Sequence, residues 1–191
     1  QDKKFTFLIT GNINKKSNYR ISSIIDSLSG LIKEYKYIHL NIAGYIEDKN
    51  YFLKEIKKRN LEFNVTLFDK FSQEEAPLIY QKANAYITMA YNDNCPSAVI
   101  EALSCGLPIL YSNSGGIPEL VNKDSGIGLD VKESWTKTQI PNISDIQNGM
   151  IKIIENKSSM SKAARARAIE YFDIKSWINR HKEVISELLN L

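Results

Sequence analysis

The stretch YNDNCPSAVIEALSCGLPILYSNSGG, residues 91 to 116, carries the carboxylate Glu101 within a run of Ala, Val, Ile and Leu. A helix that is apolar nearly all round is expected to be buried. Because a charged carboxylate is costly to bury without a partner, Glu101 requires a specific explanation. In one interpretation Glu101 is structural: it faces solvent beside Ser97 and Ser104, or it pairs with an arginine. In the other, that face of the helix borders a crevice where Glu101 binds a polar ligand.

Turn-forming residues on either side delimit this predicted helix. Asp93 or Asn94 is a good N-cap, and Pro96 suits the first helical turn. Gly106 is placed to end the helix, and the proline two residues later prevents its continuation. The sequence therefore predicts a helical region between these caps.

Outside this stretch, short β-rich runs alternate with segments of helical spacing. The predicted strands are residues 5–10, 38–44, 65–69, 85–90, 108–112 and 126–131. The predicted helices include residues 19–35, 51–60, 72–83, 144–156, 158–172 and 173–190. Apolar strands separated by helices indicate a parallel sheet covered on both faces. The predicted fold class is α/β, a Rossmann-like doubly wound parallel sheet of about six strands flanked by helices.

Composition and charge exclude several classes of protein. The 191 residues are 43% apolar, which suffices for one domain with a full core. The net charge of +3, from 25 basic and 22 acidic residues, argues against a nucleic-acid partner. No run of about eighteen apolar residues occurs, so no membrane span is expected. No Asp-x-Asp pair or cluster of His, Cys and Asp has the spacing of metal ligands, so we expect no metal and no cofactor.

Two cysteines and two basic runs add weaker expectations. Cys95 and Cys105 form no Cys-x-x-Cys pair, which is typical of a protein in a reducing, cytoplasmic compartment. The basic runs at residues 54–59 and 162–167 are expected to be solvated helix faces.

The segment DNCPSAVIEALSCGLPILYSNSGGIPELV resembles the donor-site signature of retaining GT-B glycosyltransferases, a family with many bacterial polysaccharide and lipopolysaccharide enzymes. Asp93 and Glu101 have the family spacing of an acidic residue, seven residues and Glu, with Asp in place of the commoner first Glu. The segments FDKFSQEE and YFDIKSWINRH also fall in family order. The resemblance implies that residues 1–191 are a single C-terminal donor-binding domain, with the N-terminal acceptor domain absent from this chain.

The resemblance also implies roles for residues of this segment. Glu101 would hold the ribose hydroxyls of a nucleotide, because a carboxylate can accept from both at once. Asp93 would bind hydroxyls of the donor sugar, or else act only as an N-cap. The positive end of a helix dipole attracts phosphate. Four residues would form the loop whose backbone amides approach the sugar and diphosphate: Asn94, Cys95, Pro96 and Ser97.

A second part of the implied site follows the first predicted strand. In the family, a Gly is followed by an Arg and then a Lys, which together neutralise the diphosphate. Here Gly11 is followed by Asn12, and Lys15 or Lys16 is the nearest lysine, although a solvated turn explains both lysines equally well. Either Arg20 substitutes for the missing arginine, or the protein binds its donor weakly.

Two further features carry an implied role beside a simpler one. Phe71, at the end of the third predicted strand, stands where the family places the nucleotide base, although an ordinary core aromatic has the same pattern. Gly115 and Gly116 either close on the donor or make a tight turn.

The resulting hypothesis is retaining, metal-independent transfer of a glycosyl group from a UDP- or GDP-sugar in bacterial surface polysaccharide or lipopolysaccharide synthesis. The predicted catalytic residues are Asp93, Glu101 and Lys16. The lysine and the loop amides would stabilise the departing diphosphate. The acceptor, a glycan or a lipid-linked sugar, would bind the missing N-terminal domain, so the isolated chain is expected to be inactive. The full-length protein is expected in the cytoplasm, either free or peripheral to the inner face of the membrane.

Two alternatives share this architecture: a non-catalytic nucleotide-sugar-binding domain and a GT-B-type nucleotide-sugar epimerase. A nicotinamide oxidoreductase is disfavoured, because no Gly-x-Gly-x-x-Gly follows the first predicted strand.

Overall fold

A six-stranded parallel sheet forms the centre of the computed structural model, which describes residues 4–189. Its strands are β1 (Phe5–Ile13), β2 (Ile38–Ile46), β3 (Val65–Phe68), β4 (Ala85–Thr88), β5 (Ile109–Asn113) and β6 (Gly126–Asp130). They are ordered β3-β2-β1-β4-β5-β6, and every neighbouring pair is parallel. This is the doubly wound arrangement, in which ligands bind at the carboxyl ends of the strands near the switch point between β1 and β4. The predicted fold class is confirmed.

Helices cover both faces of the sheet. The described residues contain α1 (Asn18–Leu31), α2 (Lys49–Lys58), α3 (Ala76–Gln81), α4 (Ser97–Ser104), α5 (Ile117–Leu120), α6 (Ile143–Phe172) and α7 (Ile174–Leu189). A first buried cluster joins the sheet to α1, α2 and the first half of α6, and a second joins it to α3, α4, α5 and the second half of α6. β1 contributes to both in alternation, with Phe7 and Ile9 in the first cluster and Leu8 in the second. This two-sided burial explains the near-continuous apolar character of the strands.

α6 is one helix of 30 residues, whereas the sequence spacing predicted two, at 144–156 and 158–172. The two-helix prediction is wrong because residues 156–159 contain no Gly or Pro that would break a helix. Their polar side chains bond to carbonyls of the same helix. Asn156 Nδ2 donates to the Lys152 carbonyl at 2.9 Å, and Ser159 Oγ donates to the Asn156 carbonyl at 3.0 Å.

Side chains of α6 also hold the carboxyl ends of two shorter helices. Arg165 donates to the carbonyl of Ser104, at the end of α4, at 2.5 Å. Arg167 donates to two carbonyls at the end of α5, at 2.8 and 3.1 Å. Such donors satisfy carbonyls that a helix end leaves without an intrahelical partner. The basic run 162–167 was predicted to be a solvated helix face, which is confirmed for the exposed Arg165 and wrong for the half-buried Arg167.

The last helix, α7, buries none of its side chains. Its apolar residues Ile174, Val184 and Leu188 are 62%, 55% and 76% exposed. The predicted helix at 173–190 is confirmed over 174–189, and residue 190 lies outside the described residues.

Within residues 4–189, no helix combines the length and the apolar character needed to cross a membrane.

A pair of glycines brings the carboxyl ends of β1 and β2 close together. Gly11 and Gly44 are partners in the parallel register, and their φ angles are 136° and 133°. L side chains rarely adopt this conformation. A Cβ atom on Gly44 would lie 2.2 Å from the carbonyl oxygen of Gly11, whereas a Cβ atom on Gly11 would meet no atom within 4 Å. Gly11 is therefore required for backbone conformation, and Gly44 for both conformation and space.

We expect Gly44→Ala to destabilise the protein more than Gly11→Ala. The strained φ alone costs about 1–3 kcal/mol, and this is the whole cost at Gly11. Gly44→Ala adds a clash with a backbone oxygen that no side-chain rotation relieves. Urea denaturation of both variants measures the two losses in free energy of unfolding. Equal losses would contradict the close approach of the two strands.

Candidate functional site

The loop before α4 ends in a helix N-terminus that has no side-chain cap. α4 begins at Ser97 and its N-cap is Pro96, so the prediction of Asp93 or Asn94 as the cap is wrong. The physical reason is a contact from elsewhere in the chain, because the backbone amide of Gly116 donates to the Asp93 carbonyl at 2.9 Å and holds this segment away from the helix. The first turn of α4 therefore has no capping side-chain oxygen, and within it the Val99 amide donates to the Pro96 carbonyl at 3.0 Å.

The glycine pair Gly115 and Gly116 packs directly against the loop that carries Asp93 and Asn94. A Cβ atom on Gly115 would lie 2.4 Å from the Asp93 carbonyl oxygen, and one on Gly116 would lie 1.8 Å from the Asn94 carbonyl oxygen. The pair therefore does more than reverse the chain. It determines where the loop before α4 lies.

Glu101 is exposed and is also held in place. The hydroxyl of Tyr80 donates to Glu101 Oε2 at 2.7 Å. No lysine or arginine among the described residues forms an ion pair with Glu101. Ser97 and Ser104 lie on the same face, respectively exposed and half-buried. The helix is thus buried on one face only, through Val99, Ala102 and Leu103.

Two clefts collect predicted site residues. The first, of about 330 Å³, lies at the ends of β1, β2 and β3 and is lined by Gly11, Asn12, Gly44, Tyr45, Lys70 and Phe71. The second, of about 270 Å³, is lined by Glu101 and Tyr80 together with Gln73, which is two residues beyond Phe71 in the chain. The structure thus brings Gly11, Asn12 and Phe71 into one cleft and Glu101 into another.

Phe71 combines core packing with a position at the edge of a cleft. It is half-buried and packs against the second core cluster, and it also lines the first cleft. Sequence reasoning missed Tyr45, which is 53% exposed in the same cleft and is the register partner of Asn12. Its position directly after Gly44 at a strand end was the available signal.

The predicted lysines lie in the turn after β1, and Arg20 follows them on α1. Lys15 and Lys16 are exposed in a 3-10 turn, and the Lys15 amide donates to Glu47 Oε2 at 2.9 Å. Arg20, on α1, donates through Nη2 to the Asn12 carbonyl at 3.4 Å. Its Nε is buried and has no hydrogen-bond partner among the described residues. The guanidinium therefore lies against the residue that stands where the family motif has arginine.

The remaining predicted residues show no further chemistry. Cys95 is exposed, and burial raises the pKa of the Cys105 thiol, which keeps it in the unreactive protonated form. Residues 4–189 contain no cluster of three or more His, Cys, Asp and Glu side chains that could hold a metal ion.

A loop beyond β6 was missed as a possible part of the site. Tyr91 fastens this loop, because its hydroxyl accepts from the Ser134 amide at 2.6 Å and lies 3.0 Å from the Lys132 carbonyl. The next side chain, Trp135, is 99% exposed at the rim of a cleft that Gly115 also lines. An isolated tryptophan in a polar segment was the signal in the sequence.

Comparison with known proteins identifies the family. A family model described as Glycosyl transferases group 1 matches residues 1–171. Protein CapJ of Staphylococcus aureus is 30% identical over 138 residues, which is 72% of this chain and 35% of CapJ. One subunit of the human phosphatidylinositol N-acetylglucosaminyltransferase is 32% identical over 101 residues, 51% of this chain and 21% of that protein. The chain therefore spans only part of the length of these relatives.

Solved structures share the fold at low sequence identity. The pneumococcal O-GlcNAc transferase GtfA in complex with UDP and GlcNAc has a TM-score of 0.77 at 16% identity, covering 98% of this chain and 36% of GtfA. Anabaena Alr3699/HepE in complex with UDP and glucose has a TM-score of 0.75 at 17% identity, covering 97% of this chain and 49% of that protein. The resemblance to the GT-B architecture is thereby confirmed over almost the whole chain.

We expect Gly116→Ala to lower the free energy of unfolding by about 1–3 kcal/mol through overpacking. Its φ of −93° suits any residue, so the cost is the contact of the new methyl group with the Asn94 carbonyl. Ser114→Ala is the matched control in the same turn, because it removes an acceptor for the Asn92 amide without adding an atom. Urea denaturation compares the two. A smaller loss for Gly116→Ala than for Ser114→Ala would refute the close packing.

Proposed function

Because the chain belongs to the glycosyl transferases group 1 family, we propose that it binds the nucleoside-diphosphate sugar from which a glycosyltransferase takes its glycosyl group. The observation that carries this proposal is Glu101, an exposed carboxylate whose orientation Tyr80 holds in a cleft between α3 and α4. The UDP present in two structures of the same fold supports a nucleotide as the ligand.

Glu101 binds the ribose in this proposal. An ionised carboxylate has about four lone-pair directions on its two oxygens and can accept from two neighbouring hydroxyls. Tyr80 uses one direction on Oε2, at 2.7 Å, which leaves Oε1 and the outer side of Oε2 for the ligand. Hydrogen bonds to a charged acceptor are the strong ones, so this residue carries much of the affinity.

The base lies in the first cleft, against Phe71. Two aromatic side chains line that cleft, Phe71 half-buried and Tyr45 exposed, and the glycines Gly11 and Gly44 leave its floor free of side chains. Stacking on an aromatic ring suits any base, because every base has a π-face. This part of the site therefore does not select between uracil and guanine.

The diphosphate lies between the N-terminus of α4 and the cations that follow β1. The uncapped N-terminus of α4 at Ser97 presents amides and the positive end of the helix dipole. Arg20 lies against Asn12 and supplies the guanidinium that the family motif places at that position, while Lys15 and Lys16 are exposed and free to approach the ligand. These charges stabilise the diphosphate as it departs.

Transfer then follows the chemistry of the family, in which the donor diphosphate leaves as the anomeric carbon becomes cation-like. Asp93 lies in the loop positioned by the glycine pair and binds donor-sugar hydroxyls. We propose retention of configuration without a metal, with the acceptor bound by a part of the protein outside this chain. We also propose that the full-length protein acts in bacterial surface-glycan synthesis. It would lie in the cytoplasm, either free or at the inner face of the membrane. One alternative function is a nucleotide-sugar-binding domain without transferase activity. It is favoured by Asn12, which stands where the family motif has the arginine that neutralises the diphosphate.

We expect one of UDP, GDP and ADP to raise the melting temperature of the chain. A ligand at a hundred times its Kd stabilises the folded state by about 2.7 kcal/mol. Glu101→Ala should abolish the shift, because the ribose hydroxyls lose their acceptor. Glu170→Ala, which removes an exposed glutamate on α6, is the control and should leave the shift unchanged. A chain that none of the three nucleotides stabilises would contradict the proposal.

Arg20→Gln should weaken the binding of that nucleoside diphosphate about tenfold or more, because a hydrogen bond to a charged group is lost. Binding of the corresponding nucleoside, which has no phosphate, should not change. Arg180→Gln on α7 is the control for removal of a positive charge. Isothermal titration calorimetry measures all of these affinities. If Arg20→Gln weakens the nucleoside as much as the diphosphate, Arg20 does not bind the phosphates.

A further inference from the structure

A chain of hydrogen bonds runs from the buried interior of the sheet to Glu101. The Tyr80 hydroxyl lies 2.7 Å from Glu101 Oε2 and 3.0 Å from Thr10 Oγ1. Thr10 Oγ1 in turn lies 3.1 Å from the Tyr86 hydroxyl. The rings of Tyr80 and Tyr86 are stacked, with centroids 6.0 Å apart, and the two residues are only 1% and 2% exposed. Four side chains from β1, α3, β4 and α4 thus meet in one network.

The proton count gives this network a single direction. An ionised carboxylate only accepts, so the one hydroxyl proton of Tyr80 points at Glu101. The contact between Thr10 and Tyr80 then requires the Thr10 hydroxyl to donate to the Tyr80 oxygen. Since the Thr10 hydroxyl already donates its proton to Tyr80, the Tyr86 hydroxyl must be the donor in its contact with Thr10 Oγ1. Each link depends on the next, and chains of this kind strengthen one another cooperatively in a low-dielectric interior.

Burial keeps the donors protonated. It raises the pKa of Tyr80 and of Tyr86 above the ordinary value for tyrosine, so both hydroxyls retain their protons at any working pH of the protein. A phenylalanine at either position would fill nearly the same space without a polar atom to satisfy. The buried hydroxyls therefore need a purpose beyond packing, and the Tyr80 hydroxyl ends on the one carboxylate of α4.

We propose that Tyr80 is a positioning residue for Glu101 and thereby for recognition of the ribose diol. The inference rests on the proposed function and deepens it. Tyr80 occupies one side of Oε2 and holds the carboxylate in the orientation that presents its remaining lone pairs to two adjacent hydroxyls. Through Thr10, the residue before Gly11, it also ties the ribose-binding carboxylate to the strand end that leads into the diphosphate loop.

A positioning role and general stabilisation by Tyr80 have different effects on ligand binding. If Tyr80 only filled the core, its hydroxyl would affect every ligand of the folded protein equally. If it orients Glu101, its effect is confined to ligands that carry the ribose hydroxyls. The discriminating ligand is therefore a nucleoside diphosphate that lacks both of them.

The test is Tyr80→Phe, titrated by calorimetry with the nucleoside diphosphate that binds the unsubstituted chain and with its 2′,3′-dideoxy analogue. We expect affinity for the complete nucleotide to fall about five- to tenfold, the worth of one well-placed hydrogen bond. Affinity for the dideoxy analogue should not change. Tyr111→Phe, another buried tyrosine of the sheet outside this network, should leave both affinities unchanged. Thermal denaturation establishes that each variant is folded at the temperature of titration.

The outcomes separate this inference from the function on which it rests. Unchanged affinity of Tyr80→Phe for the complete nucleotide, or equal losses for both ligands, overturns the positioning role. If Glu101→Ala abolishes binding while Tyr80→Phe does not weaken it, the donor site stands and the inference alone fails. If no nucleoside diphosphate binds the unsubstituted chain, both fail.

Discussion

The hydrogen bond from Tyr80 to Glu101 joins the interior of the sheet to its ligand-binding edge. A charged side chain on a mostly apolar helix is tolerated here because its carboxylate reaches water on one side and a buried hydroxyl on the other. That hydroxyl is itself held by Thr10 on β1. The position of Glu101 therefore depends on the pairing of strands as much as on the helix that carries it.

Close backbone approach is the second constraint on this edge. Gly44 lies against the carbonyl of Gly11, and Gly116 lies against the carbonyl of Asn94. Both contacts leave no room for a Cβ atom, and each stands at a strand end or loop that borders the proposed ligand. The site is thus shaped by backbone where the phosphates and sugar are expected, and side chains enter it at few points. Such a surface suits an extended, charged ligand, which amides and cations can approach closely.

The features that followed from the sequence were those determined by local pattern. The apolar strands, the helical spacing between them and the end of α4 at Gly106 depend on residues close together in the chain, and the structure agrees with each. The N-cap of α4 could not be predicted in this way, because it depends on a hydrogen bond from a distant part of the chain. The amide of Gly116, which follows β5, donates to the Asp93 carbonyl.

The part of the site that escaped prediction depends on contacts between distant elements. Thr10 and Tyr80 are 70 residues apart, and Thr10 also contacts Tyr86 on β4, the neighbour of β1 at the switch point. Arg20 was one of two explanations for the missing arginine, and its contact with Asn12 required the turn that leads into α1. The family pattern indicated which carboxylate to examine, but no local pattern in the sequence indicated what holds it.

The crystal structure of the chain with its bound nucleoside diphosphate tests this account most directly. We predict two ribose hydroxyls within hydrogen-bonding distance of the Glu101 carboxylate, with the Tyr80 hydroxyl still donating to Oε2 and the base against Phe71. A nucleotide bound elsewhere, or a Glu101 side chain turned away from the ribose, would contradict the account.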